Sequence, residues 1–465
     1  MDQRQMREII DTAMMNGADF AEIFLEEKDT TTIKCEKSKI EKVSVGTDKG
    51  IGIRVIKEDN VAYGYTNDFD QENLLKIAQT LAQGAKSDIQ GIVLDFEKTA
   101  PVQTAVEIYP KEVAVEDKIE AVKIADRAAR ELDEKIAQVT VTYTDTIQRV
   151  EIANNLGTCV KEERIRTRMA VNSIAQIGEN IQTGYASFGG TQGFEIATNT
   201  APIQLAEEAS GRAINLLKAK PCPGGKMTVV LAEEAGGTMV HEACGHGLEG
   251  DLVRKGMSVY KGKIGEQVAS PLITVVDDAT LSHQYGSYHY DDEGAKGRCN
   301  VLIEQGELKQ YLYDYHTAKK EGVESTANGR RESYRVKPIP RMSNTMILPG
   351  KDKKEKIIKS VERGLLVTKM GGGQVSSITG DYVFDVAEGY MIENGEIAYA
   401  VRGATLAGNG PESLKQVEMV GDDLGFAIGT CGKGGQSAPV ADAQPTLKIN
   451  NLVVGGTAEY DIKRK

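Results

Sequence analysis

The chain has 465 residues, 40% of them hydrophobic, no tryptophan and a formal net charge of −12. That length exceeds one ordinary domain and points to two or three, with enough apolar residues for real cores. The acidic balance argues against nucleic acid as the main partner, because phosphate binding rewards a basic surface, and no run approaches the ~18–20 apolar residues that span a bilayer.

"MDQRQMREIIDTAMMNGADF" reads as an amphipathic helix over 2–16, closed near Gly17; charged residues interrupt it, so it does not read as a secretory signal. "AEIFLEEKDTTTIKCEKSKIEKVSVGTDKGIGIRVIKEDNVAYGYTND" alternates apolar and polar positions, with turns expected at Asp48-Lys49-Gly50 and Asp59-Asn60. Helical spacing returns in "DQENLLKIAQTLAQGAKS" and, strongly, in "EDKIEAVKIADRAARELDEKIAQ". A second β-meander is expected from Val139 to about Glu195, turning at Asn154-Asn155-Leu156-Gly157, and then a helix over 204–218.

"AKPCPGG" (219–225) carries two prolines and two glycines and divides the chain into regions 1–220 and 221–465. Beyond it the sequence is richer in glycine and loops. "VLIEQGELKQY" (301–311) and "YMIENGEIAYA" (390–400) share a hairpin signature, with Gln305-Gly306 and Asn394-Gly395 at the turns. The whole reads as α+β: an N-terminal α/β-meander domain, then a β-rich C-terminal domain with a large antiparallel sheet.

The chemistry concentrates in "KMTVVLAEEAGGTMVHEACGHGLEGD", a short apolar strand followed by a helix expected from about Glu233. His241-Glu242 and His246 resemble the HExxH of zinc hydrolases with one extra residue. On a regular helix each residue advances about 100°, so an i, i+5 pair points about 140° apart and cannot grip one ion. Gly245 and Gly247 flank His246, and glycine is where a helix can widen into a π-turn or stop; a distortion here is expected to swing His246 back toward His241.

A zinc ion needs at least one further protein ligand. Cys244, Glu249 and Asp251 are close in sequence. Cys431 is the better placed candidate, at the end of an apolar strand in "GFAIGTCGKGGQSAPV", where Gly429, Gly432, Gly434 and Gly435 allow close backbone approach and Lys433 would favour a thiolate. The six cysteines (Cys35, Cys159, Cys222, Cys244, Cys299, Cys431) are scattered, which fits reduced thiols and a cytoplasmic location better than a disulfide framework.

Together with "NGRRESYRVKPIPRMSNT" (328–345), "GGGQVSSITGDYVF" (371–384) and "GTCGKGGQSAPVADAQPTLKINNLVVGGTA" (429–458), the HEACGHGLEGD segment resembles the TldD branch of the TldD/TldE (PmbA) metallopeptidase family. The resemblance extends over most of the chain, including "GADFAEIFLEE". It implies a zinc-dependent peptidase with Zn2+ held by His241, His246 and Cys431, and Glu242 as catalytic base. It also implies a heterodimer with a TldE-like paralogue enclosing a chamber for peptides or unfolded protein, region 1–220 helping to form it; a homodimer is the alternative.

Oxyanion stabilisation is expected from the glycine-rich segments 371–373 and 432–435 and from Arg330, Arg331 and Arg341, unless these arginines are structural. "SHQYGSYHYDDEGAKG" (282–297) reads as an active-site loop or a solvent-exposed turn. Two other readings stay open. One is a regulatory or binding protein whose structural zinc is closed by Cys244 or Asp251; the other is an amidohydrolase acting on small molecules.

Overall fold

The structure is a computed structural model that describes residues 1–84 and 91–457; the end of the helical pattern expected over "DQENLLKIAQTLAQGAKS" lies outside them. Before residue 200 all strands join one seven-stranded sheet, in the order Asn60–Thr66, Lys39–Lys57, Phe20–Glu36, Ile136–Asn154, Cys159–Ile177; Val102–Gln103 and Asn180–Gly190 both pair with the last of these. Its longest strands run 19 residues, roughly 60 Å of extended chain.

That length gives one sheet face room for two helix pairs. Gln3–Met14 and Gln71–Ala82 bury Met6, Ile9, Leu74 and Ala78 against Ile23, Ile51 and Val55. Val115–Glu131 and Ala201–Lys218 bury Val122, Ala125, Ala209 and Ala213 against Val141, Tyr143 and Met169.

The first hairpin turns at Lys37-Ser38, both with positive φ, and not at Asp48-Lys49-Gly50, which lies inside a strand. Gly50 is there for space: a Cβ on it would lie 2.1 Å from Cε2 of the Tyr334 ring. The expected turn at Asp59-Asn60 is present, with Glu58 at φ 52°.

From Lys220 onward the strands form other sheets. An eight-stranded sheet runs Arg363–Val375, Gly225–Leu231, Leu447–Gly455, Thr405–Asn409, Asp381–Glu393, Glu396–Arg402, Lys220–Pro221, with Val417–Val420 beside Leu447–Gly455. Arg363–Val375 also pairs with Asp381–Glu393, which closes part of the sheet on itself around Leu231, Leu365, Phe384 and Leu406.

A six-stranded sheet runs Glu307–Leu308, Cys299–Glu304, Val275–Asp278, Asn344–Ile347, Gln436–Gln444, Gly425–Lys433, so Gly425–Lys433 is its edge. The two look-alike hairpins turn as expected, with positive φ at Gln305-Gly306 and Asn394-Gly395, but they lie in different sheets.

The halves meet across a buried layer of charge. Along Phe20–Glu36, Ala21, Ile23 and Leu25 face the helices, while Glu22 and Glu26 reach toward the second half, as period-two alternation requires. Arg54 bridges Glu22 at 2.7 Å and Glu293 at 2.6 Å, Arg331 pairs with Glu22, and Arg164 bridges Glu162 and Asp292. The 282–297 segment is in part a surface turn, with Ser282, His283, His289 and Lys296 exposed, and in part buried. Its Asp291, Asp292 and Glu293 are buried in this junction, and its His283 and His289 line a cavity away from the metal-site residues.

Candidate metal centre

The Gly225–Leu231 strand leads through two short turns into Thr238–Val240, and the chain then widens into a π-helical turn over His241–Gly245, tightening again over His246–Leu248. The His246 N–H donates to the His241 carbonyl, the i, i+5 bond that defines a π-turn. The extra residue is thereby absorbed, and the two imidazoles lie with ring centres 5.0 Å apart.

The flanking glycines serve a purpose other than the one the sequence implies. Gly245 has an ordinary helical φ of −52°. A Cβ there would lie 2.1 Å from the Met342 sulfur, and one on Gly247 would lie 2.7 Å from the Tyr260 ring. They are glycine because the turn is packed tightly from outside.

Cys431 arrives from the second sheet. It lies within the Gly425–Lys433 strand, opposite Ala438 of Gln436–Gln444, and the hairpin turns at Gly434-Gly435, both with positive φ. Its Sγ lies 3.2 Å from His241 Nε2 and 3.3 Å from His246 Nε2. Those three atoms lie within 4.8 Å of one another. The other imidazole nitrogens are held by carboxylates, His241 Nδ1 by Asp442 at 2.7 Å and His246 Nδ1 by Glu249 at 3.0 Å.

Arg341 fixes the strand from behind, donating to the Cys431 and Gln436 carbonyls. Burial pushes the Cys431 thiol up, but hydrogen bonds from the two imidazoles, with their charge, outweigh it and bring the thiol to about 5.

The neighbours in sequence do other work. Cys244 donates to the Val240 carbonyl at 3.2 Å, and burial pushes its thiol up to about 12. Asp251 is held by Lys433 at 2.5 Å, and Glu249 by Lys433 and His246. Lys433 thus neutralises two carboxylates instead of supporting the thiolate.

Arg330, Arg331 and Arg341 are buried behind the hairpin, and none lines the cleft. Of the glycine segments, Gly432 lines it; beyond 371–373 the residues that do so are Gln374, Val375 and Ser377.

The cleft, about 590 Å³, is bounded by His241, Glu242, His246 and Cys431. Glu242 is half-buried and makes no hydrogen bond or ion pair among the described residues; burial raises its carboxyl against the pull of the two imidazoles. Sequence reasoning missed Asp442. A signal existed: once Cys431 is set opposite Ala438, alternation puts Ala438, Val440 and Asp442 on the same face as Cys431.

Family models of the PmbA/TldA metallopeptidases match residues 21–85 (domain 1), 108–217 (central domain) and 224–456 (C-terminal domain). A metalloprotease TldD homolog of Haemophilus influenzae is 36% identical over 460 residues, covering 97% of this chain and 95% of its own. A metalloprotease of Methanocaldococcus jannaschii is 37% identical over 435 residues, covering 92% and 95%.

Among solved structures, a candidate modulator of a DNA gyrase from Thermotoga maritima superposes with TM-score 0.80 at 25% identity, covering 97% of this chain and all of that one. TldE from Thermococcus kodakarensis shares the fold, with TM-score 0.76 at 21% identity and coverage of 97% and 100%. The chain belongs to the PmbA/TldD metallopeptidase family.

Proposed function

We propose that this chain is a zinc-dependent peptidase acting on short or unfolded polypeptides, with His241, His246 and Cys431 as zinc ligands and Glu242 as general base. The observation that carries the reading is the convergence of two Nε2 atoms and one Sγ atom in a cleft whose one unpartnered carboxylate is Glu242. The donor set fits the ion. Ligands at ordinary Zn–N and Zn–S lengths in a tetrahedron stand about 3.5 Å apart, close to the 3.2 and 3.3 Å found. Carboxylates on both Nδ1 atoms favour the tautomer that leaves Nε2 free to ligate.

Bound there, zinc supplies Lewis-acid polarisation of a carbonyl and a more acidic water. Glu242 takes the proton of the attacking water and returns it to the leaving amine, a role suited to a carboxyl raised by burial. Cys244 and Asp251 are engaged elsewhere, so neither closes the coordination, which favours a catalytic over a structural zinc.

The edge strand Gly425–Lys433 pairs on one side only and lines the cleft from Ala427 to Lys433. Its Gly429 and Gly432 leave backbone bare, which suits an extended peptide adding as a further strand. That mode favours a peptide substrate over a small amide.

We assign region 221–465 to catalysis and region 1–220 to chamber and partner contacts, with a TldE-like paralogue as partner and a homodimer as second choice, in the cytoplasm; no helix among the described residues is long and apolar enough to cross a membrane. The test is hydrolysis of one protein in its native and its reduced, unfolded form, with and without chelator, by the chain alone and with the paralogue. Cleavage confined to the unfolded form and abolished by chelator is expected. Equal rates on both forms, or indifference to chelator, would refute the reading.

A further inference from the structure

The hairpin that carries Cys431 has a second face. Alternation puts Thr430, Ser437 and Pro439 opposite the metal-site side chains, and there they border a cavity of about 290 Å³ between the second half and the long N-terminal sheet. Five cationic side chains line it, against two carboxylates, Asp292 and Glu332. Asp292 is already engaged by Arg164 and by the Arg331 N–H.

Arg166 and Arg330 differ from the other arginines of this region. Both are more than nine-tenths buried, and neither forms an ion pair among the described residues. Arg166 donates to the Tyr285 and Ser287 carbonyls, each at 2.8 Å, and Arg330 to the Met342 and Pro439 carbonyls at 2.5 and 2.8 Å. Those carbonyls take two of the five N–H groups of each guanidinium and carry no net charge. The Tyr288 ring, 5.2 Å from Arg330, offsets its charge only in part, so both cations remain without an anionic partner, an expensive state when buried. Burial, then the charges of Arg164 and Arg330, hold Arg166 down to about 10, the direction expected where the compensating anion is missing.

We propose that this cavity binds a small oxyanion, a carboxylate or a phosphate, between Arg166 and Arg330. The planar guanidinium is the side chain best matched to both anions. Thr30, Thr146 and Ser437 add hydroxyl donors at the cavity wall. The oxyanion has two sources. Thr430 borders both this cavity and the cleft, so the terminal carboxylate of a peptide running past the edge strand is one; free inorganic phosphate is the other. The proposal does not depend on the metal or on peptidase activity.

Calorimetric titration of the full-length protein at constant ionic strength tests it, with inorganic phosphate, an N-acetyl dipeptide acid and the matching C-terminal amide as probes. Wild type should bind phosphate or the acid. Arg166→Met should weaken that binding by about tenfold or more, and Arg166→Lys, which keeps the charge but loses the fork, should also weaken it.

Acid binding with amide silent identifies a peptide terminus; phosphate binding with neither peptide bound identifies the free anion. Failure of wild type to bind any oxyanion beyond a sodium chloride control, or binding unchanged in Arg166→Met, overturns the proposal.

Discussion

Two buried charged regions of this molecule look alike in composition and differ in how their charges are used. At the junction of the halves, the charges of Glu22, Arg54, Glu293, Arg331, Arg164, Asp292 and Glu162 are matched by an opposite partner, with Arg166 and Arg330 at the bordering cavity the exceptions. At the candidate metal cleft, Asp442 and Glu249 hold imidazoles and Lys433 holds Glu249 and Asp251, yet Glu242 faces the cleft unpartnered. A matched buried charge fixes one arrangement of the chain, whereas an unmatched one is held ready for something that arrives.

The largest effect is expected at the unmatched carboxylate of the cleft. Glu242→Gln should keep zinc and the fold but lower peptide hydrolysis by about 10²–10⁴-fold, because proton transfer alone is removed. Substantial turnover in that variant, measured beside its zinc content, would take the base role away from Glu242.

The matched region should fail in the opposite way. Arg54→Ala strands Glu22 and Glu293 in the interior and should lower stability by about 3–5 kcal/mol in urea unfolding. Loss of activity at unchanged stability would mean that the junction is not merely architectural.

A smaller effect is expected where a carboxylate only orients a ligand. Asp442→Asn should weaken metal affinity by about 10–100-fold, read by competition with a chromophoric chelator, with little change in melting temperature. Smallest of all, the exposed helical pair Glu72–Lys76 should leave the urea midpoint unmoved on Lys76→Ala. A large shift there would undo the distinction between buried and surface charge.

Much of this was legible in the sequence, and the misses share a cause. Alternation marked the long strands, and the widened HExxxH spacing called for a local distortion, which the π-turn supplies. Local sequence could not say why a glycine stands where it does. Gly50 reads as a turn and is a seat for the Tyr334 ring; Gly245 and Gly247 read as flexibility and are seats for Met342 and Tyr260. Each contact comes from a distant segment.

The 282–297 segment was only half legible for the same reason. Acids beside histidines and tyrosines look alike whether they face water or the arginines of the other half. Asp442 needed the hairpin register before its parity with Cys431 meant anything.

Under the proposed reading, metal is held across two sheets by the π-turn and the edge-strand cysteine, and not within the HEACGHGLEGD segment alone. Elemental analysis of purified wild type, Cys431→Ser and Cys244→Ser tests it most directly. About one zinc per chain is expected in wild type and in Cys244→Ser, and none in Cys431→Ser. Zinc retained in Cys431→Ser and lost from Cys244→Ser would contradict it.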